Sequence, residues 1–332
     1  MMVMNKAFRC SLTIALILML NLFPIPARSQ DAYPNRPVRL VIPYAPGGGT
    51  DVMGRKFATK ISPVLGRTMI VDNKPGAGGT LGTVEVSRSN PDGYTLLLGT
   101  SSTHAINPWA MDNPPYDPVK DFSPVMVLGV VSMVIVSHPS VATSLKELIA
   151  RAKVNKGKYS YGSAGVGSIN HLTGELFKKE AGGLDIVHLP YKGSGPAVQD
   201  LIGGQIPLVM ATFSAMLPFH RSGKARILAV TSDTRSKAAP DIPTAVESDL
   251  PGMVAQTFQA LFTPAGTPKP IIDRLWRAGT VVVNDEAFLK DLEALTIEPV
   301  TDSNPEKAAQ FIQKARAKWG PIVKESGFKI SY

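Results

Sequence analysis

The order in which strand and helix signals alternate constrains this chain most, and the first unit sets the pattern. Val38 to Ile42 is a β-branched apolar run that reads as a buried strand, Pro46 and the glycines Gly47, Gly48 and Gly49 break it, and Thr50 or Asp51 can cap the next element. Met53, Phe57, Ile61 and Val64 then recur at helical spacing, which predicts a helix over 50–65 with one face against a sheet. The same signals predict strands at 68–73 and 94–99 around a helix at 79–89, then a Pro-rich crossing near 113–118 and an extended segment at 133–136. Beyond it, helices at 143–154, 168–180, 194–203 and about 215–222 alternate with strands at 158–163, 185–190, 206–212 and 225–231. An extended 258–262 and helices at 268–284, 285–294 and 305–326 complete the chain.

Such alternation implies largely parallel sheets covered on both faces, so the expected fold class is α/β. A restart after Pro139 gives two lobes: domain 1 from 30–139 and 256–332, domain 2 from 140–255. The chain then crosses between lobes twice, which makes a hinge, and a cleft lies where strand ends and helix starts face each other.

Lys6 and Arg9, the apolar run from Ser11 to Phe23, and Ala27 and Ser29 read as a signal peptide, 1–29, cleaved after Ser29 on export to the periplasm. Its apolar run falls short of the roughly 20 residues that span a bilayer. The only cysteine, Cys10, lies inside it, so the exported chain has no disulfide or thiol chemistry. Of 35 Lys and Arg against 26 Asp and Glu, removal of Lys6, Arg9 and Arg28 leaves 32 basic residues and a net charge of +6. These residues are scattered and not interleaved with aromatics, which favours anionic small molecules and argues against nucleic acid.

A helix start leaves N–H groups free and carries partial positive charge, so the Gly47, Gly48, Gly49, Thr50 turn can seat a carboxylate or phosphate; a plain connection with a capping residue is the alternative. A second strand, glycine loop and capped helix, with Ser163, Gly165, Gly167, Ser168 and His171, mirrors it from the other lobe. Small polar residues after neighbouring strands extend the set of candidates: Thr100, Ser101, Ser102 and Thr103; Tyr191, Lys192 and Ser194; and Thr212 with Ser214. The expected donors are Gly48, Gly49 and Thr50 from one lobe and Ser163, Gly167 and Ser168 from the other, with Asp51 as helix cap.

Several stretches resemble the Bug receptors, the periplasmic solute receptors of tripartite tricarboxylate transporters. They are Tyr33 to Asp51, Val71 to Gly79, Pro91 to Leu97, Leu189 to Ala197, Ile242 to Gly252 and Thr263 to Pro268. The resemblance implies a type II periplasmic-binding-protein fold, and ligand loops at Pro46 to Asp51 and Ser163 to His171. It also implies a small organic acid as ligand, membrane transporter subunits as partners, and a monomer. The family commonly places an Asp after the strand ending at Met210, where this chain has Ala211, Thr212, Phe213 and Ser214; simple or aromatic acids then fit better than an amino-bearing ligand.

Other classes find less support. Tyr161 stands where a hydrolase's Gly-x-Ser-x-Gly needs its first glycine before Ser163. Gly76, Gly78, Gly79 and Gly82 lack dinucleotide spacing, so no cofactor is expected, and the five histidines lack paired metal-ligand spacing. An exported α/β enzyme for an anionic substrate, or an interaction protein without a transport role, remain as alternatives.

Overall fold

The computed structural model describes residues 33–327 with Lys329 and Ile330, so the expected signal peptide lies outside the described residues. Apolar β-branched runs and helical periodicity give elements close to those expected. The first part of the chain forms β1 (Val38–Ile42), α1 (Gly49–Leu65), β2 (Met69–Asn73), α2 (Thr80–Ser87), β3 (Thr95–Thr100), a short α3 (Asn107–Ala110) and β4 (Phe122–Ser137). There follow α4 (Leu145–Val154), β5 (Tyr159–Ser163), α5 (Ile169–Glu180), β6 (Ile186–Pro190), α6 (Ser194–Ile202), β7 (Leu208–Thr212), α7 (Phe213–Arg221) and β8 (Arg226–Val230). The chain closes with β9 (Gln256–Pro264), α8 (Lys269–Val283), α9 (Glu286–Ala294), β10 (Ile297–Pro299) and α10 (Pro305–Ser326).

Two sheets share one strand. The first runs β2-β1-β3-β9-β4 with β10 on β4; the second runs β4-β7-β5-β6 with β8 on β4. β1 pairs in parallel with β2 and β3, and β5 with β6 and β7, while β4 and β9 are antiparallel insertions. α1 lays Met53, Phe57, Ile61 and Leu65 into the core beside Leu40 and Ile42. It stops where Gly66 takes a φ of +75° and its N–H turns back to the Ser62 and Pro63 carbonyls.

β4 is the main departure from expectation. It spans 16 residues, not the four at 133–136, because Pro124 and Gly129 look like strand breakers and are instead absorbed at two register shifts against β9. Ser132 still pairs with Gln256 in the first sheet, and the next residue, Met133, pairs with Thr212 in the second. The first crossing therefore falls inside β4, ahead of the expected boundary after Pro139.

A ring of backbone hydrogen bonds holds the crossings together. Met133 N–H donates to Ala255 O (3.1 Å), Ala255 N–H to Thr231 O (2.9 Å) and Thr231 N–H to Met133 O (2.9 Å). The fully buried Thr231 hydroxyl is shared between Ala255 O (2.6 Å) and Met133 O (2.9 Å). Thr231→Val keeps the shape but withdraws this donor from two buried carbonyls. We expect a loss of about 1–3 kcal/mol in urea unfolding followed by circular dichroism; an unchanged midpoint would show that the hydroxyl does not tie the crossings.

Candidate functional site

Three helix starts converge where the strand ends of both lobes meet. α1 is capped by Gly48, α6 by Gly193 and α7 by Thr212, and at none of the three does a side chain bond the free N–H groups. They face a narrow space lined by Tyr44, Gly48, Gly49, Thr50, Thr100, Ser102, Ala164, Ile169, Asn170, Ser194, Thr212 and Thr257. None of these residues carries a charge. The donors are helix N–H groups, hydroxyls and the Asn170 amide, and three macrodipoles point positive ends at one spot, so the site suits an anion without a fixed cation.

Asp51 is not the cap of α1. It is the third helical residue, and its carboxylate reaches back to accept the Gly47 N–H (3.0 Å), bonds Arg55 Nε (3.0 Å) and accepts from Asn73 Nδ2 (3.0 Å). Burial alone would push its carboxyl up, but the Arg55 guanidinium, the Gly47 N–H and the Asn73 amide outweigh this and hold it below the ordinary carboxylate range. The glycine turn is thereby fixed, and the negative charge is neutralised from behind the site.

Of the residues singled out in the sequence, Gly48, Gly49, Thr50, Thr100, Ser102, Ser194 and Thr212 line this space, and the others do not. Gly47 is exposed and Ser101 Oγ accepts the Phe258 N–H (3.1 Å). Ser168 Oγ caps α5 by accepting the His171 N–H (3.2 Å) and donates to Gly165 O (2.7 Å), while the Ile169 N–H of that helix start donates to Ser102 Oγ of the other lobe (2.9 Å). Gly167 faces Ile330, and Gly167 N–H donates to His171 Nδ1 (3.3 Å). Tyr191 hydroxyl binds Asp200 (2.6 Å), and the exposed Lys192 contributes only its carbonyl, to the Ala45 N–H of the other lobe (3.2 Å). Tyr44 and Thr257 were not named from the sequence, and Asn170 was reached only as part of the Ser163 to His171 loop. Ser194 had a signal, the Gly193-Ser194 helix start beside Lys192, whereas Thr257 depends on strand register.

Much of the glycine serves the contact between lobes. A Cβ on Gly195 would collide with Pro46 O, one on Gly78 with Val166 O, and one on Gly49 with the Thr212 and Ser214 hydroxyls. The space between the helix starts is only ≈ 20 Å³, room for about one water, so the lobes stand closed. A larger groove of ≈ 680 Å³ lies on the other side of the hinge, between Arg235 and Lys237 of one lobe and Glu286, Glu293 and Glu298 of the other.

Ser163 Oγ lies 2.6 Å from His188 Nε2, a nucleophile-to-base distance. Ser163 is fully buried and already accepts the Gly165 N–H (3.1 Å), and burial, with His171 stacked 4.0 Å away, lowers the His188 imidazole to about 3, too weak a base near neutral pH. The pair is structural. Among the described residues no group of three or more His, Cys, Asp or Glu is placed to hold a metal ion, and no helix is long and apolar enough to cross a membrane.

Two α/β lobes joined through a shared strand, closing on a donor-lined and charge-free cleft, define a solute receptor of the type II periplasmic-binding fold. Residues 53–328 match the tripartite tricarboxylate transporter family receptor, and the chain belongs to that family of solute-binding receptors. It is 38% identical to protein BugT of Bordetella pertussis over 91% of this chain and 93% of the relative. Among solved structures it is similar to an R. palustris protein with adipate, at 31% identity over 90% of this chain and 99% of that one, with a TM-score of 0.85. It is also similar to MatC of Rhodopseudomonas palustris with bound malate, at 29% identity over 88% and 100% of the two chains and a TM-score of 0.83.

Burial lowers three imidazoles from the ordinary value near 6.5: His104 to about 3, His171 to about 4 and His188 to about 3. They stay neutral in the folded chain while the unfolded chain takes up protons below about pH 6.5. Their contribution is complete above that pH and is lost as pH falls toward the folded values. The thermal midpoint should therefore drop steadily from pH 6.5 to about 4, and His188→Gln should flatten the slope between pH 6.5 and 5; a flat wild-type profile over that range would show ordinary imidazoles.

Proposed function

We propose that the mature protein is a periplasmic receptor that captures a small organic acid between its lobes and presents it to the membrane subunits of a tripartite transporter, without chemistry on the ligand. The carrying observation is the convergence of three helix starts, α1, α6 and α7, whose N–H groups no side chain caps, on a space lined by hydroxyls and no charge. A carboxylate there accepts several N–H bonds, and closure excludes water and strengthens each of them. The adipate and malate held by relatives support dicarboxylates as a class.

In this reading the 1–29 segment is a cleaved signal peptide and the receptor acts as a monomer. Two units, 33–132 with 256–327 and 133–255, part about the Met133, Thr231 and Ala255 ring, because a space of ≈ 20 Å³ admits no such acid without opening.

The test is thermal unfolding of the chain from Gln30 with mono-, di- and tricarboxylates, aromatic acids, amino acids and sugars. A ligand at a hundredfold excess over its dissociation constant adds about 2.7 kcal/mol of stability. A shift confined to carboxylates supports the reading, and shifts with sugars alone would overturn it. A second prediction separates closure from contact. Gly195→Ala puts a methyl against Pro46 O of the opposite lobe at a position that does not line the ligand space. Carboxylate affinity should fall about tenfold or more, about 1.4 kcal/mol, with the unliganded midpoint unchanged or raised, since Ala favours a helix over Gly. Wild-type affinity would mean that the lobes close less fully around a ligand than they stand here.

A further inference from the structure

Gln259 on β9 is fully buried, yet neither its Nε2 nor its Oε1 has a hydrogen-bond partner. A native fold rarely leaves both halves of a buried amide unmet, and where it does an unseen partner is expected. Register says where that partner sits. The Cα partner of Gln259 on β3 is Thr100, and cross-strand partners and residues two apart along a strand share a face of the sheet. Gln259 therefore shares its face with Thr100 and Thr257, both of which line the narrow space between the lobes. Phe258 and Ala260 project to the opposite face, into the cluster that holds Trp319. Neither neighbour serves the amide: Thr100 Oγ1 is 2.8 Å from the Tyr44 hydroxyl, and Thr257 Oγ1 bonds Phe258 O (3.3 Å).

We infer that Gln259 is a specificity-determining residue whose amide reads a hydroxyl group on the ligand, beyond the carboxylate held by the helix starts. This rests on the carboxylate reading above and narrows its class to hydroxy acids. With its rotatable side chain, Gln259 can raise its amide between Thr100 and Thr257 to the floor of the cleft when the lobes stand apart around a ligand. The chemistry of the orphaned pair selects the group. A second carboxylate offers acceptors only and leaves Oε1 unmet; an ammonium offers donors only and leaves Nε2 unmet. A hydroxyl donates to Oε1 and accepts from Nε2, so one ligand group satisfies both. A site built around such a pair discriminates against the analogue without the hydroxyl, since that analogue leaves the buried amide unpaired.

The experiment is isothermal titration of the chain from Gln30 with matched acids: succinate against malate, propane-1,2,3-tricarboxylate against citrate, butyrate against 3-hydroxybutyrate, and benzoate against 4-hydroxybenzoate. Wild type, Gln259→Leu and Gln259→Met are compared. In at least one pair the wild type should bind the hydroxylated acid about tenfold or more tightly, and both variants should bind the two members within about twofold while keeping wild-type affinity for the plain acid. The same hydroxyl preference in both variants, or none in the wild type for any pair, overturns the inference and leaves the receptor reading standing. Binding of no acid at all overturns both. The unliganded midpoint is an independent readout: Gln259→Met should hold or raise it, and a fall would show that the amide is satisfied inside the fold by ordered water, which also overturns the proposal.

Discussion

The two lobes depend on one continuous strand. β4 gives its first residues to one sheet and its last five, Met133 to Ser137, to the other, so the two sheets are rigidly related except at the peptide between Ser132 and Met133. The ring through Met133, Thr231 and Ala255 binds that point to the second crossing, so both crossings must bend together. That double tie keeps the ends of β1, β3, β5 and β7 facing each other. A hinge of two loose loops would let the lobes slide, and helix starts that must agree to within a hydrogen-bond length would lose register.

Recognition of an anion by dipoles alone has a physical logic in a cleft that opens and closes. A lysine or arginine in the space would be desolvated on closure whether or not an anion were present, at several kcal/mol. Helix N–H groups carry only partial charge and are already ordered by their helices, so closing around them costs far less. Asp51 follows the same logic: its carboxylate is taken up by Arg55 and the Gly47 N–H, which fixes the glycine turn.

The alternation of strands and helices was legible because hydrophobic period and glycine punctuation are local signals, and α1, α5 and α10 formed within a residue or so of their expected bounds. β4 was illegible because its proline and glycine sit at register shifts that only the partner strand reveals. The site was half legible. In the lobe-one turn, Gly48 and Gly49 line the space between the lobes. The lobe-two turn has the same letters in another use: Ser168 caps its own helix, Ser163 serves His188, and Gly167 makes room for Ile330. Sequence reports that glycine is needed, but a ligand, a turn and a neighbouring backbone all need it for the same steric reason.

Closure itself draws on apolar contact as well as on any ligand. Ile169 and Leu172 at the start of α5 join the cluster of Ile106, Trp319 and Ile330 from the opposite lobe, while Phe177 further along the helix packs in the core of its own lobe. That seam is buried only when the lobes are together, so part of the closing free energy belongs to the protein. Apparent affinity is then the intrinsic affinity of the closed form weighted by how readily the lobes shut. A change in this seam, far from any atom of the ligand, should alter binding strength without altering which acid is chosen, whereas choice resides in the helix starts and in whatever reads the far end of the ligand.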